Sequence, residues 1–257
     1  MRCKAFTRLK THHGTELIFL KKSAPYRILI YEKLVIDVFQ AYSGHNRIIL
    51  DIGSNVGGYS LLSSALGSTV YSVEMQPLCN KILRCNAKIN NYSNIHIIEG
   101  FTTKNILHTP IKVNPNMCNI MSSVNSTGGR WPNGLLMKSH REMNWKKTVS
   151  VYPVNLMFPS INKFHLTKID TEGSEIDTLL SLNWSKIDAT IIEFQADAWK
   201  YNSITRDFGI SVVNRFIDHK NYRIRSLFGL NSKMWTKQRL ISFLQSQKNS
   251  VRKFLFF

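Results

Sequence analysis

"ILDIGSNVGGYSLL", residues 49–62, sets an apolar run ahead of an acid, a glycine-rich polar turn and a second apolar stretch with helical spacing. A strand that runs through a glycine turn into a helix brings backbone against a ligand at the strand's C-terminal end, where open α/β sheets hold their cofactors. Spacing and charge decide which cofactor. A dinucleotide fingerprint needs G-x-G-x-x-G directly after the strand, so that a pyrophosphate can rest on the helix N-terminus. Here Asp51 and Gly53 are followed by Asn55, where the middle glycine would stand, and then by Gly57 and Gly58. A carboxylate at the strand end repels a pyrophosphate and attracts a cation. The ammonium and sulfonium of S-adenosyl-L-methionine suit that charge, so the loop points to a methyl donor, with Asp51, Gly53, Asn55 and Gly57 as its binding residues.

Working outward, "TVYSVE" reads as a second strand that ends on Glu74, 23 residues after Asp51. An acid at that place can accept hydrogen bonds from both hydroxyls of a ribose. "QPLCNKILRCNAKINN" reads as a helix, and "NIHIIEG" as a third strand whose end, Glu99, stands where an adenine edge would pass. From 102 to 150 the periodicity weakens and "NSTGGRWPNG" is turn-like, so this region is expected to be a loop-rich excursion. Strands then return at "FHLTKID" and "ATIIEFQ", separated by a short helix at "SEIDTLLSL" that Ser174 is expected to cap. A helix over 207–219, a strand at "YRIRSLF", a helix at "TKQRLISFLQSQ" and a strand at "RKFLFF" follow. Strands alternating with helices give a doubly wound α/β fold with a mostly parallel sheet. Residues 1–47 are expected to form an N-terminal extension and a lead-in helix ("YRILIYEKLVIDVFQAY"), and residues 48–257 the catalytic domain.

Composition bounds the rest. The chain of 257 residues has a net charge of +18, and the excess is concentrated at the ends: Lys and Arg outnumber Asp and Glu by 9 to 3 in residues 1–50 and by 12 to 2 in 199–257. Seven of the sixteen acids fall between Asp170 and Asp197, so a locally acidic segment sits in a basic chain. That pattern admits an anionic partner at the basic ends, including nucleic acid, alongside a solvated lysine-rich surface. Cys3, Cys79, Cys85 and Cys118 form no CxxC pair and the histidines show no metal-ligand spacing, so reduced thiols and no zinc site are expected. Three N-x-S/T sequons, at Asn91, Asn125 and Asn183, read as chance matches. No signal peptide or membrane span is seen, which leads to the expectation of a cytoplasmic protein.

The second dense patch is "KIDTEGSEIDTLL", residues 168–180. Alternation along a strand puts Lys168 and Asp170 on one face, with Asp170 at the ligand-facing end. Glu172 and Glu175 flank a glycine turn into a helix whose N-terminus favours acids, so one of them can be structural. Together, "LDIGSNVGGYS", "VYSVEMQP", "LRCNAKIN" and above all "LTKIDTEGSEIDTLL" resemble the FkbM family of S-adenosylmethionine-dependent methyltransferases. The resemblance covers roughly residues 48 to 235. It implies a seven-stranded class I methyltransferase sheet and methyl transfer to a hydroxyl of a sugar, glycan or other small acceptor. It further implies a cofactor loop at Asp51, Gly53, Asn55 and Gly57, a ribose acid at Glu74, and a signature at Lys168, Asp170, Glu172, Gly173 and Glu175. The "NSTGG" segment (125–129) is similar to a polar loop that many members carry.

Methyl transfer to oxygen is an in-line displacement, in which the enzyme aligns the reactants and removes the hydroxyl proton. Asp170 is the first candidate for that proton, with Lys168 holding it or the acceptor and Glu172 as the other candidate. His140 and His165 lie nearest in sequence and read as structural. Asp170 and Glu193 alone offer too few oxygens for a magnesium ion. A weakly catalytic nucleic-acid-binding module and an RNA methyltransferase are the competing readings.

Overall fold

The structure is a computed structural model that describes residues 6–21, 32–104, 111–113, 118, 147–227, 232–246 and 252–257. The chain opens with an antiparallel hairpin, β1 (Phe6–Lys10) and β2 (Glu16–Leu20), and helix α1 (Lys33–Tyr42). Strand β3 (Ile48–Ile52), helix α2 (Gly58–Ala65), strand β4 (Thr69–Glu74), helix α3 (Pro77–Ile89) and strand β5 (Ile95–Thr102) follow. Strands β6 (Ile111–Val113) and β7 (Lys147–Tyr152) precede the one-turn helix α4 (Val154–Met157). The second half runs through β8 (Leu166–Ile169), α5 (Glu175–Ser181), β9 (Thr190–Phe194), α6 (Arg206–His219), β10 (Ile224–Ser226), β11 (Lys233–Trp235), α7 (Lys237–Ser246) and β12 (Arg252–Phe256).

Ten of these strands form one sheet in the order β11-β10-β12-β9-β8-β3-β4-β5-β7-β6. The central strands are parallel, and β12 enters antiparallel between β9 and β10. The expected seven strands are β5, β4, β3, β8, β9, β12 and β10; the short β11 extends one edge, and β7 with β6 extends the other. Those last two lie in the stretch expected to be loop: β6 has only three residues, and β7, although "KTVSVY" alternates, follows the turn-like "NSTGGRWPNG" run. The "NSTGG" segment and His140 fall outside the described residues.

The central strands are covered on both faces and largely buried, with Asp51, Glu74 and Lys168 as buried charged exceptions. In β3, Ile49 and Leu50 point to opposite faces and enter different clusters. Leu50 and Ile52 pack with Ile169, Leu179, Phe194 and Phe216, while Ile49 packs with Leu61, Val70 and Leu166. Leu17 and Phe19 of the hairpin and Val35, Ile36 and Phe39 of α1 join the second cluster, so the N-terminal segment covers one face of the sheet.

Of the expected lead-in helix, α1 covers Lys33–Tyr42, and positions 26–31 lie outside the described residues. Two local expectations are corrected, at the Ser174 cap and at the cysteines. Ser174 occupies the N-cap of α5 without a side-chain cap bond, and α5's first turn carries Glu175 and Asp177 instead. The cysteines are not free thiols: Cys79 and Cys118 are joined, with Cα atoms 5.0 Å apart, and Cys85 is disulfide-bonded too. A pairing across 39 residues leaves no spacing signature, since it depends on the fold bringing residue 118 to the start of α3.

Candidate active site

The parallel strands β3, β4 and β8 end side by side, and their following loops line an open cleft. Gly53 is the tightest point of the first loop. Its φ is +75°, and a Cβ there would lie 1.8 Å from the backbone oxygen of Asp170, so only glycine lets the β3 and β8 loops meet. Asn55 also has positive φ, at 53°, and Gly57 at 88° opens α2. Asn55 Oδ1 accepts the Val56 N–H, and the two disulfide sulfurs, which carry no proton, pack 3.8 and 3.7 Å from that same oxygen.

Glu74 is the acid best placed for a ribose. It lines the cleft, and its oxygens accept the N–H of Asn55 at 2.9 Å and of Gln76 at 2.7 Å, which ties the β3 and β4 loops together. Each carboxylate oxygen can accept a further bond. Burial raises its pKa. Ser54 and Thr171 also line the cleft, and their hydroxyl oxygens are buried without a hydrogen-bond partner among the described residues. Orphaned hydroxyls at the strand ends, the glycine approach and Glu74 suit a hydroxyl- and amine-bearing cofactor such as S-adenosylmethionine.

Asp51 does not line the cleft. It is fully buried beneath the loop, where Oδ2 accepts the Ser60 hydroxyl at 2.6 Å and Oδ1 lies 3.6 Å from Lys168 Nζ. Lys168 Nζ pairs with Asp51 and also lies 3.0 Å from Asp170 Oδ2, so its ammonium offsets the charge of Asp51. Glu99 pairs in register with Glu74 but does not line the cleft either; Gly100, Phe101 and Thr102 do.

Lys168, Asp170 and Glu172 come together at the cleft. Burial alone would raise Asp170, but the ammonium groups of Lys168 and Lys253 outweigh it and hold the carboxyl down at about 2. Glu172, at φ 53°, accepts a hydrogen bond from Gln195 Nε2; burial first, then the charges of Asp170 and Glu193, push it up to about 9. Glu193 is pushed up to about 8 by burial and by Asp170, to which it hydrogen-bonds. Glu175 is a structural acid: fully buried, it accepts the Gly173 N–H at 2.6 Å and the Trp199 indole N–H at 2.8 Å, and burial lifts it to about 7.

Three participants escape a reading of the sequence. Lys253, from β12, lies 2.6 Å from Glu32, 2.7 Å from Glu193 and 3.9 Å from Asp170, and its pKa is raised by those carboxyls against the pull of burial. Glu32 accepts the Tyr59 hydroxyl, and Lys168 Nζ stands 5.5 Å above the Tyr59 ring. A lysine and a glutamate near opposite ends of the chain carry no motif; only the antiparallel pairing of Lys253 with Glu193 brings them here. His165 is structural, accepting the Ile48 N–H at Nδ1.

Residues 51–224 match the family described as "Methyltransferase FkbM domain". A protein of Methanocaldococcus jannaschii described as uncharacterized is 28% identical over 72 residues, which is 27% of this chain and 28% of that protein, so little more than a quarter of either is matched. Among solved structures, a precorrin-6y C5,15-methyltransferase from Geobacter metallireducens superimposes with a TM-score of 0.43 at 10% identity, over 88% of each chain. The 16S rRNA N2 G1207 methyltransferase of T. thermophilus gives a TM-score of 0.48 at 9% identity, over 98% of this chain and 49% of that one.

Proposed function

The chain belongs to the FkbM methyltransferase family, and from that premise we propose that this S-adenosylmethionine-dependent methyltransferase transfers the methyl group to a hydroxyl oxygen of an uncharged sugar, glycan or other small acceptor. The observation that carries the hydroxyl reading is the carboxyl-rich wall at the cleft: Asp170 and Glu172 line it, with Glu193 and Glu32 behind them. Carboxyl groups accept hydrogen bonds from hydroxyls and repel phosphates.

S-adenosylmethionine, when bound, supplies an electrophilic methyl group. Glu74 is the ribose acid in this reading, and Ser54, Thr171 and the loop at Gly53, Asn55 and Gly57 complete the cradle. Asp170, kept ionised by Lys168 and Lys253, presents a fixed negative charge to a cationic ligand. Glu172 takes the hydroxyl proton only in its ionised form, so activity is expected to rise with pH towards about 9. A carboxyl pushed up to about 9 is a far stronger proton acceptor, once ionised, than one held at about 2. Lys168 touches the cleft with its side chain 3% exposed, and holds Asp170 and Asp51 in place.

The nucleic-acid readings meet one contrary feature. Arg223 and Arg225 stand over the Phe257 ring at 4.6 and 5.2 Å, Arg239 over Trp235 at 4.5 Å, and Arg252 over Phe243 at 4.9 Å. These C-terminal rings stack on the protein's own guanidinium groups, which takes up faces that a single strand would need. No helix among the described residues is long and apolar enough to cross a membrane. The disulfide-bonded cysteines speak for an oxidising compartment over the cytoplasm expected from the sequence.

The test supplies methyl-labelled S-adenosylmethionine with pools of neutral glycans and polyols in one arm and total RNA at low salt in the other. Label on the glycan or polyol arm supports the reading; label confined to RNA overturns it.

A further inference from the structure

Outside the cleft, one group of side chains combines donor types that bind borderline divalent metals. The β1–β2 hairpin turns through "THHGT", residues 11–15, and its loop is closed tightly: Thr11 N–H reaches Thr15 O at 2.9 Å, Gly14 N–H reaches Thr11 O at 2.9 Å, and Thr15 N–H reaches Thr11 Oγ1 at 3.2 Å. Consecutive residues of a strand would face opposite ways. In this turn His12 and His13 face the same way, with ring centroids 4.1 Å apart. Their Nε2 atoms stand 2.6 and 2.7 Å from a single oxygen, Oδ1 of Asp37 on α1.

We propose that His12, His13 and Asp37 form a binding site for a borderline first-row divalent cation, zinc being the reference ion, which bridges the hairpin to helix α1. The three donor atoms lie within 4.8 Å of one another, close enough for modest side-chain shifts to place all of them around one ion. Two imidazoles and a carboxylate suit zinc, nickel or copper, whereas calcium and magnesium prefer oxygen alone. The side chains are 30%, 37% and 45% exposed, so water can complete the coordination shell. Thiol competition is removed at Cys79, Cys85 and Cys118, which are disulfide-bonded. The hairpin holds its histidines in place and α1 is anchored in the core through Val35, Ile36 and Phe39, so the donors are preorganised on two fixed elements. An ion here also braces the helix that follows Glu32, the residue reaching Lys253 behind the cleft.

The test is calorimetric titration of the full-length, tag-free protein with zinc alone, repeated with cobalt to follow its visible absorption, beside His13→Ala and Asp37→Asn. One equivalent bound, with a rise in melting temperature that both variants lose and affinities weaker by at least about tenfold in each, is the expected result. Asp37→Asn keeps the size and an oxygen acceptor, so a loss of zinc binding with an unchanged metal-free melting temperature separates ligation from folding; if His13→Ala does not fold, His12→Gln replaces it under the same criterion. No zinc binding below millimolar concentration, or equal binding by the native protein and Asp37→Asn, overturns the proposal.

Discussion

Replacing Lys253 with Met tests whether the carboxyl cluster depends on the internal ammonium that β12 delivers. The lysine side chain is 11% exposed and stands within 2.7 Å of both Glu32 and Glu193. Met keeps most of the aliphatic stem and removes the charge. Breaking a buried pair by removing one partner costs about 3–5 kcal/mol. Glu32 is 28% exposed and can recruit water, and Glu193 already tends to hold a proton, so the low end, about 3 kcal/mol, is the better expectation here. For a chain of this size that is a fall in melting temperature of about 6–12 °C. The pH dependence identifies the cause. With the ammonium gone, the remaining repulsion among Asp170, Glu193 and Glu32 is relieved by protonation, so the loss shrinks between about pH 8 and about pH 5. Adding Glu193→Gln to Lys253→Met recovers part of the loss. Calorimetric melts of the three proteins at both pH values provide the measurement. An equal loss at both pH values would mean that only packing was removed, and no loss at either would refute the role given to Lys253.

Further outcomes follow from the same geometry. Glu172 and Glu193 bind protons in the folded state that they release on unfolding, since their pKa values are raised to about 9 and about 8; stability is full below about pH 4.5 on their account and declines as pH rises towards about 9. Denaturant titrations across that window should show the decline, and Glu172→Gln should flatten it; stability rising with pH in the native protein contradicts the assignment. Gly53→Ala must push a Cβ against the Asp170 carbonyl, so circular dichroism melts should show a large destabilisation, and an unchanged melting temperature would contradict the close approach of the β3 and β8 loops. Replacing Cys79 and Cys118 together with Ser should lower stability by about 2–4 kcal/mol and weaken S-adenosylmethionine binding several-fold, because the sulfurs pack on Asn55 of the cofactor loop. Full cofactor affinity in a protein so destabilised would disconnect the disulfide from the loop.

The sheet was legible where hydrophobic runs are long and bounded by glycine turns: β3, β4, β8 and β9 with α2 and α3 stand where periodicity puts them. Glu74 and the 168–175 run could be found because a strand end and a glycine turn mark their places in the sequence itself. Asp51 shows the limit of that logic. Its place at a strand end indicates cofactor chemistry, but whether the carboxylate faces the ligand or the core depends on Ser60 and Lys168, which local spacing does not position. Lys253, Glu32, the Cys79–Cys118 pairing and the convergence of His12 and His13 on Asp37 are all products of tertiary packing and carry no local periodic signal.

Isothermal titration with S-adenosylmethionine, on the native protein and on Glu74→Ala, tests most directly that the loop at residues 53–58 and the end of β4 hold the methyl donor. One site of micromolar affinity is expected in the native protein. Losing the charged acceptor should weaken it by about 10–100-fold, the equivalent of about 1.5–3 kcal/mol for hydrogen bonds to a carboxylate. A native protein that takes up no S-adenosylmethionine at millimolar concentration, or a Glu74→Ala protein that binds it as tightly as the native one, would contradict that placement.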